Sequence, residues 1–159
     1  MADHLRTQIR HYVAATTLGI TVPNILSRVY VNKTDPFDPA VDVPGLLLMG
    51  GDDRVMSRSE GSLAANVHRQ EMHTTVLRII AKAKNTAASG VDDLLDTICK
   101  DVKKRMCADR FLGGLSDDVR HLSDGEPQFD STGDQTIGTV EMQYEIDYWC
   151  NEITPDVKG

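Results

Sequence analysis

No apolar run in this sequence approaches the ~18 residues that a helix needs to cross a bilayer, so no membrane partner is expected. Met1 to Arg10 is charged and no hydrophobic stretch with a cleavage site follows it, which argues against a secretory signal. Cysteine is sparse. Cys99, Cys107 and Cys150 are odd in number and show no CxxC spacing, as expected for reduced, partly buried thiols in a cytosolic protein. In that setting Asn32-Lys33-Thr34 carries no weight as a glycosylation acceptor. Aromatic residues make up only 5% of the chain, and few lie near the basic cluster Lys100 to Arg105, so nothing suggests base stacking. At helical spacing that cluster reads as the solvated end of a helix.

Basic residues are scarcest at one end. Residues 115–159 hold 11 acidic and 2 basic side chains, a net of −9, whereas residues 1–114 hold 13 acidic and 15 basic ones, a net of +2. The two parts sum to the formal −7 of the whole chain. A surface built by the last third should repel nucleic acid, whose phosphates are held by Lys and Arg.

What is present fits one globular domain. A chain of 159 residues can bury roughly 68–70% of its unfolded surface without staples. Leu5, Ile9, Tyr12 or Val13, and Thr16 recur at helical spacing, with Asp3 as N-cap and Gly19 as the stop. Ile25 to Val31 reads as a short strand. Pro36, Pro39 and Pro44 make residues 34–44 a loop, and Gly45 to Met49 is a brief buried strand closed by Gly50-Gly51-Asp52-Asp53. Residues 50–69 show no clean period and read as a loop or arm, with Asp52, Asp53, Arg54 and Arg58 as candidate interaction residues. Met72 to Lys84 is rich in β-formers, with Arg78, Lys82 and Lys84 on one alternating face.

Ser89-Gly90 opens the clearest helix. Val91, Leu94, Leu95, Ile98, Val102 and Met106 form its apolar stripe, Asp92 and Asp93 suit the positive end of its dipole, and Lys100 to Arg105 suit the negative end. Gly113-Gly114 ends that unit, residues 115–123 are weakly extended, and residues 124–134 read as an acidic turn. Val140, Met142, Tyr144, Ile146, Tyr148 and Cys150 then alternate with Thr139, Glu141, Gln143, Glu145, Asp147 and Trp149. A period of two held this long specifies a strand with one apolar face and one polar, mainly acidic face. Glu141, Glu145, Asp147 and Trp149 are therefore candidates for a partner or lumen surface. The expected fold is α+β, an antiparallel sheet of about four to five strands packed against two main helices. The domain core spans about residues 4–150, with residues 151–159 as a flexible C-terminal tail.

Catalytic motifs are weak. HExxH needs two histidines four apart on a helix, whereas His68 and His73 are five apart and His73 starts an extended stretch. Gly51-Asp52-Asp53 is more naturally a turn than a cation site. Ser59-Glu60-Gly61-Ser62 lacks the GxSxG elbow, and neither glycine pair continues into GxxxxGK[ST] or GxGxxG. No catalytic residue, metal or cofactor is expected, although a small metal-dependent hydrolase using His68, Glu71, His73 and the nearby aspartates is a rival reading.

One ordered set of segments covers nearly the whole chain. Arg6 to Arg10 lies on the first helix, and the Arg-containing strand Ile25 to Tyr30 follows. Next come Pro44-Gly45-Leu46-Leu47-Leu48 and the charged apolar strand Val76-Leu77-Arg78-Ile79-Ile80-Ala81. The helix Asp92-Asp93-Leu94-Leu95-Asp96-Thr97-Ile98 leads to Ala108-Asp109-Arg110-Phe111-Leu112-Gly113-Gly114-Leu115, and the glycine-led strand Ile137-Gly138-Thr139-Val140 to Tyr148 closes the domain. In this order the chain resembles the tail terminator family of long-tailed bacteriophages, also called tail completion or minor tail proteins. It departs from the family at Pro44-Gly45 and over 50–69, so contacts of that loop do not transfer.

The resemblance implies a non-enzymatic structural protein of virion assembly. It implies a homo-oligomeric ring, a hexamer, that caps the tail tube, ends tail polymerisation and offers the head-joining surface. Its partners would be copies of itself, the tail tube protein and a head-completion or neck protein, with DNA passing through without specific binding. It would be assembled in the host cytoplasm and reside in the virion, at the head-proximal end of the tail. Another neck or head-tail connector component is the nearest alternative.

Overall fold

A computed structural model describes residues 4–19, 25, 28–38, 40–59, 69–86, 89–132, 135–151, 153, 156 and 158. The expected N-cap Asp3, the strand positions Leu26 and Ser27, and His68 lie outside these residues, as do residues 60–68 of the expected arm.

The chain folds as α+β. Two helices, α1 (Leu5–Tyr12) and α2 (Val91–Ala108), pack on one face of a six-stranded mixed sheet. The strands are β1 (Val29–Val31), β2 (Gly45–Arg58), β3 (Gln70–Lys84), β4 (Asp118–Asp124), β5 (Gln128–Thr132) and β6 (Gln135–Asn151). Their order is β1-β2-β3-β6-β4, with β5 paired to the beginning of β6 on the same side as β4. The sheet is not wholly antiparallel, because β1 runs parallel to β2. It also has more strands than the sequence pattern suggests.

Helix α1 is capped by His4, whose ring accepts the Arg6 N–H. It buries Leu5 and Ile9, then widens into a π-turn over Val13–Thr17. The extra residue in that turn shifts the helical phase, so Thr17 is buried and the expected Thr16 is exposed. Helix α2 buries Leu95, Ile98, Val102 and Met106, one stripe at three- and four-residue spacing. After it, Leu112, Gly113 and Gly114 all have positive φ, at 44°, 64° and 93°. A Cβ on Gly113 would also lie 2.7 Å from the Tyr12 ring of the α1 layer, so glycine is required there by conformation and by space.

The core joins both helices to the inner face of the sheet. Leu46 and Leu48 of β2, Leu77, Ile79, Ala81 and Ala83 of β3, and Val140, Met142, Tyr144, Ile146, Tyr148 and Cys150 of β6 all belong to it. The even-numbered residues of β6 therefore lie against the helices, as their alternation specifies.

Three segments differ from the sequence expectation. Residues 50–58 are not a loop: they continue β2, paired to β3 through two register shifts, between Gly50 and Asp53 and between Val55 and Ser57. Each shift is a bulge-like irregularity that exchanges the faces of the residues after it, which erases the period of two. Residues 128–132 are not part of a turn but form β5. Of the expected strand Ile25 to Val31, only Val29–Val31 is extended among the described positions, and Ile25 is a buried turn residue. Within residues 152–159, Gln8 Nε2 donates to the Asp156 carbonyl at 2.8 Å. Lys158 bridges Cys150 and donates to the Ser116 carbonyl at 3.1 Å.

Candidate functional site

Both helices cover the inner face of the sheet, which leaves the outer face of β3, β6 and β4 half-buried and, among the described residues, open. The odd-numbered residues of β6 occupy this face. Glu141, Glu145, Asp147 and Trp149 are thus brought together along one strand.

None of the three carboxylates stands alone. Arg78 on β3 makes a two-pronged contact with Glu141, Nε to Oε1 at 2.8 Å and Nη2 to Oε2 at 2.6 Å. That arrangement is the strong form of a guanidinium–carboxylate pair. The Arg78 guanidinium holds the Glu141 carboxyl below its ordinary value, and Glu141 raises Arg78 in return. Arg120 on β4 does more. It reaches Glu145 Oε2 at 2.8 Å, Asp147 Oδ2 at 2.6 Å and Asp118 Oδ2 at 3.2 Å, and these carboxylates push its pKa further up. The register places Asp118 directly opposite Asp147, a like-charged cross-strand pair that Arg120 bridges. Arg110 holds the other side of Asp118, Nη2 to Oδ1 at 2.6 Å, and Thr74 donates to Asp147 Oδ1 at 2.6 Å. Asp118, Glu141, Glu145 and Asp147 thus face Arg78, Arg110 and Arg120, four against three, a formal excess of one negative charge.

Beside this network the face forms an open groove of about 500 Å³ bordered by Arg54, Met56, Val76 and Leu122. Met56 and Leu122 are 58% and 47% exposed.

The four candidates on β2 are split. Asp52 and Arg54 line the outer groove. Asp53 turns inward, where it accepts the Tyr148 hydroxyl at 3.1 Å and lies 3.5 Å from His73 Nδ1 and 4.0 Å from Arg6 Nη1. His73 stacks on Tyr148 at 5.3 Å, and its Nε2 meets Glu71 at 3.2 Å. Arg58 closes this inner cluster by pairing with Glu71 at 2.7 Å. Burial, with the Asp53 carboxylate beside it, pushes the Tyr148 hydroxyl pKa up. Glu71 and His73 are therefore neighbours, but among the described residues no three His, Cys, Asp or Glu side chains are arranged to hold a metal ion. Among the same residues no helix is long and apolar enough to cross a membrane.

The acids are legible in the alternation of the sequence, whereas their partners Arg78, Arg110 and Arg120 come from other segments and are not. For Arg78 a signal existed, since it shares an alternating face with Lys82 and antiparallel pairing sets that face beside Glu141. For Arg120 there was little, because Asp118–Asp124 lacks a clean period. Comparison with protein-family models gives no match, and comparison with curated proteins gives none either.

Proposed function

We propose that this chain is a structural assembly protein of a long-tailed phage, one that caps the tail tube as a ring, ends tail polymerisation and presents the head-joining surface. The ordered resemblance along the sequence suggests this reading. The observation that carries it is the outer face of β3, β6 and β4, a broad sheet surface left uncovered by both helices. Its charges are held in place by Arg78 and Arg120, and it suits contact with a large protein surface.

On this reading the acids of β6 act as a fixed, nearly neutral lattice more than as free negative charges. Near-neutrality is compatible with DNA moving past without being held, since strong phosphate binding requires an excess of Lys and Arg.

The test is a deletion of this chain in the phage that encodes it, with particles imaged by electron microscopy. Abnormally long tails are expected. Tails of normal length that lack heads would instead make the chain a neck or connector component.

A further inference from the structure

Two charged features lie on opposite edges of the sheet, and each is only partly paired among the described residues. On one edge α1 lies over β2, with Arg6 and Arg10 one turn apart. Like charges at this spacing oppose each other. Arg10 donates to Thr7 Oγ1 at 3.3 Å and has no carboxylate partner among the described residues. Its guanidinium lies over Gly50, where a Cβ would come within 2.5 Å of Nη1, so the backbone leaves room for it. Arg6 pairs with Asp53 only at 4.0 Å, and that carboxylate already accepts the Tyr148 hydroxyl and neighbours His73. The Nε atoms of both arginines are buried without a hydrogen-bond partner. Past Arg10, along the same edge, Ala14, Ala15, Val29 and Val31 line a shallow groove of about 440 Å³.

The other edge is acidic on balance, with Lys100 and Lys103 beside Asp96 and Lys103 paired to Asp124. Asp96 of α2, Glu126 and Asp130 are exposed and have no ion pair among the described residues. Phe129 of β5 stands among them, 50% exposed, beside Asp96 and Pro127. Strands β3 and β6 separate β2 from β5, roughly 14 Å across three strand spacings, so the two edges do not meet within one chain.

We infer that the α2–β5 edge of one copy docks on the α1–β1 edge of the next. Asp96, Glu126 and Asp130 meet Arg6 and Arg10, and Phe129 enters the groove beside Ala14 and Val29. The two patches are different surfaces, so the contact is head-to-tail, the kind that generates rings or filaments. The inference rests on the ring reading above and assigns its interface.

The experiment measures the mass of the full chain by sedimentation, alone and in mixtures. The native chain should self-associate, more weakly as salt rises from about 0.01 M to about 1 M and the screening length falls from roughly 30 to 3 Å. R6Q/R10E and D96K/E126K/D130K should each lose association by at least about tenfold. An equimolar mixture of the two should regain it, because every contact in an alternating assembly is again between opposite charges. F129S, which changes no charge, should weaken association as well and serves if a charge variant fails to fold. A native chain still monomeric at about 1 mM, where a contact of about −4 kcal/mol would show, overturns the inference. So does association that survives all of these variants. Tail length in the deletion phage is an independent readout, so the ring reading can fail or stand apart from this interface.

Discussion

At the scale of single residues, Asp42 shows how a buried charge can hold a loop. It is only 5% exposed, at the end of the proline-bearing segment that precedes β2. Its carboxylate pairs with Lys33 and accepts the Asp38 N–H at 2.8 Å. Those bonds, with a further one from the Tyr30 hydroxyl, hold its pKa down at about 2, against an ordinary 3.8. The sign follows from this depression. The stabilisation is fully present above pH 3.8 and is lost as pH falls toward 2. Lys33 also lies over the Tyr30 and Phe37 rings, at 4.6 and 5.2 Å, so the loop should loosen as a unit when Asp42 takes a proton. Asp42→Asn is expected to melt at a lower temperature than the native chain at neutral pH. The difference between the two should shrink between about pH 4 and pH 2, the window over which the native carboxylate takes its proton. Melting curves across that range check it, and a difference independent of pH would show that the carboxylate's charge is not what holds the loop.

At the scale of elements, Arg120 decides how β4 joins β6. Remove it, and Asp118, Glu145 and Asp147 remain close together on neighbouring strands with no shared cation. Exposed ion pairs are each worth about 0.2–1 kcal/mol, and here one side chain serves three carboxylates. Arg120→Ala should therefore cost about 1–2 kcal/mol by denaturant unfolding, with part of the loss recovered in high salt, where the remaining repulsion is screened. A loss unaffected by salt would assign the effect to packing of the arginine stem instead. The elements themselves were unequally legible. Helix α2 and strand β6 could be read directly, because the apolar stripe and the terminal charges agree along the helix and the period of two holds over residues 139–150 of the strand. The second half of β2 could not, since two register shifts exchange its faces, and only pairing with the long partner β3 makes it a strand. Strand β5 is exposed along its described length and carries no alternation to read. The acidic row of β6 was visible as a face. Its neutralisation was not, because that depends on which strands lie on either side.

At the scale of the molecule, one core joins both helices to every long strand, and no inner-face residue of β6 from Val140 to Cys150 is left out of it. Strand β6 runs the full length of the sheet and pairs with β3, β4 and β5, so it cannot lose structure without releasing all three. Helix α2 packs against β3, β6 and β4, and α1 packs against β2, so neither helix forms a unit with a core of its own. The single Trp149, near the far end of β6, offers a local reporter of this coupling, whereas helix content reports mainly α2. Trp149 fluorescence and the far-ultraviolet helix signal should accordingly change at one temperature and at one denaturant concentration, the mark of a single cooperative transition. If the tryptophan signal changed first, the distal half of the sheet would form a separate unit. Its β2 edge, unpaired beyond Leu48 among the described residues and carrying exposed Val55 and Met56, would then open before the core does.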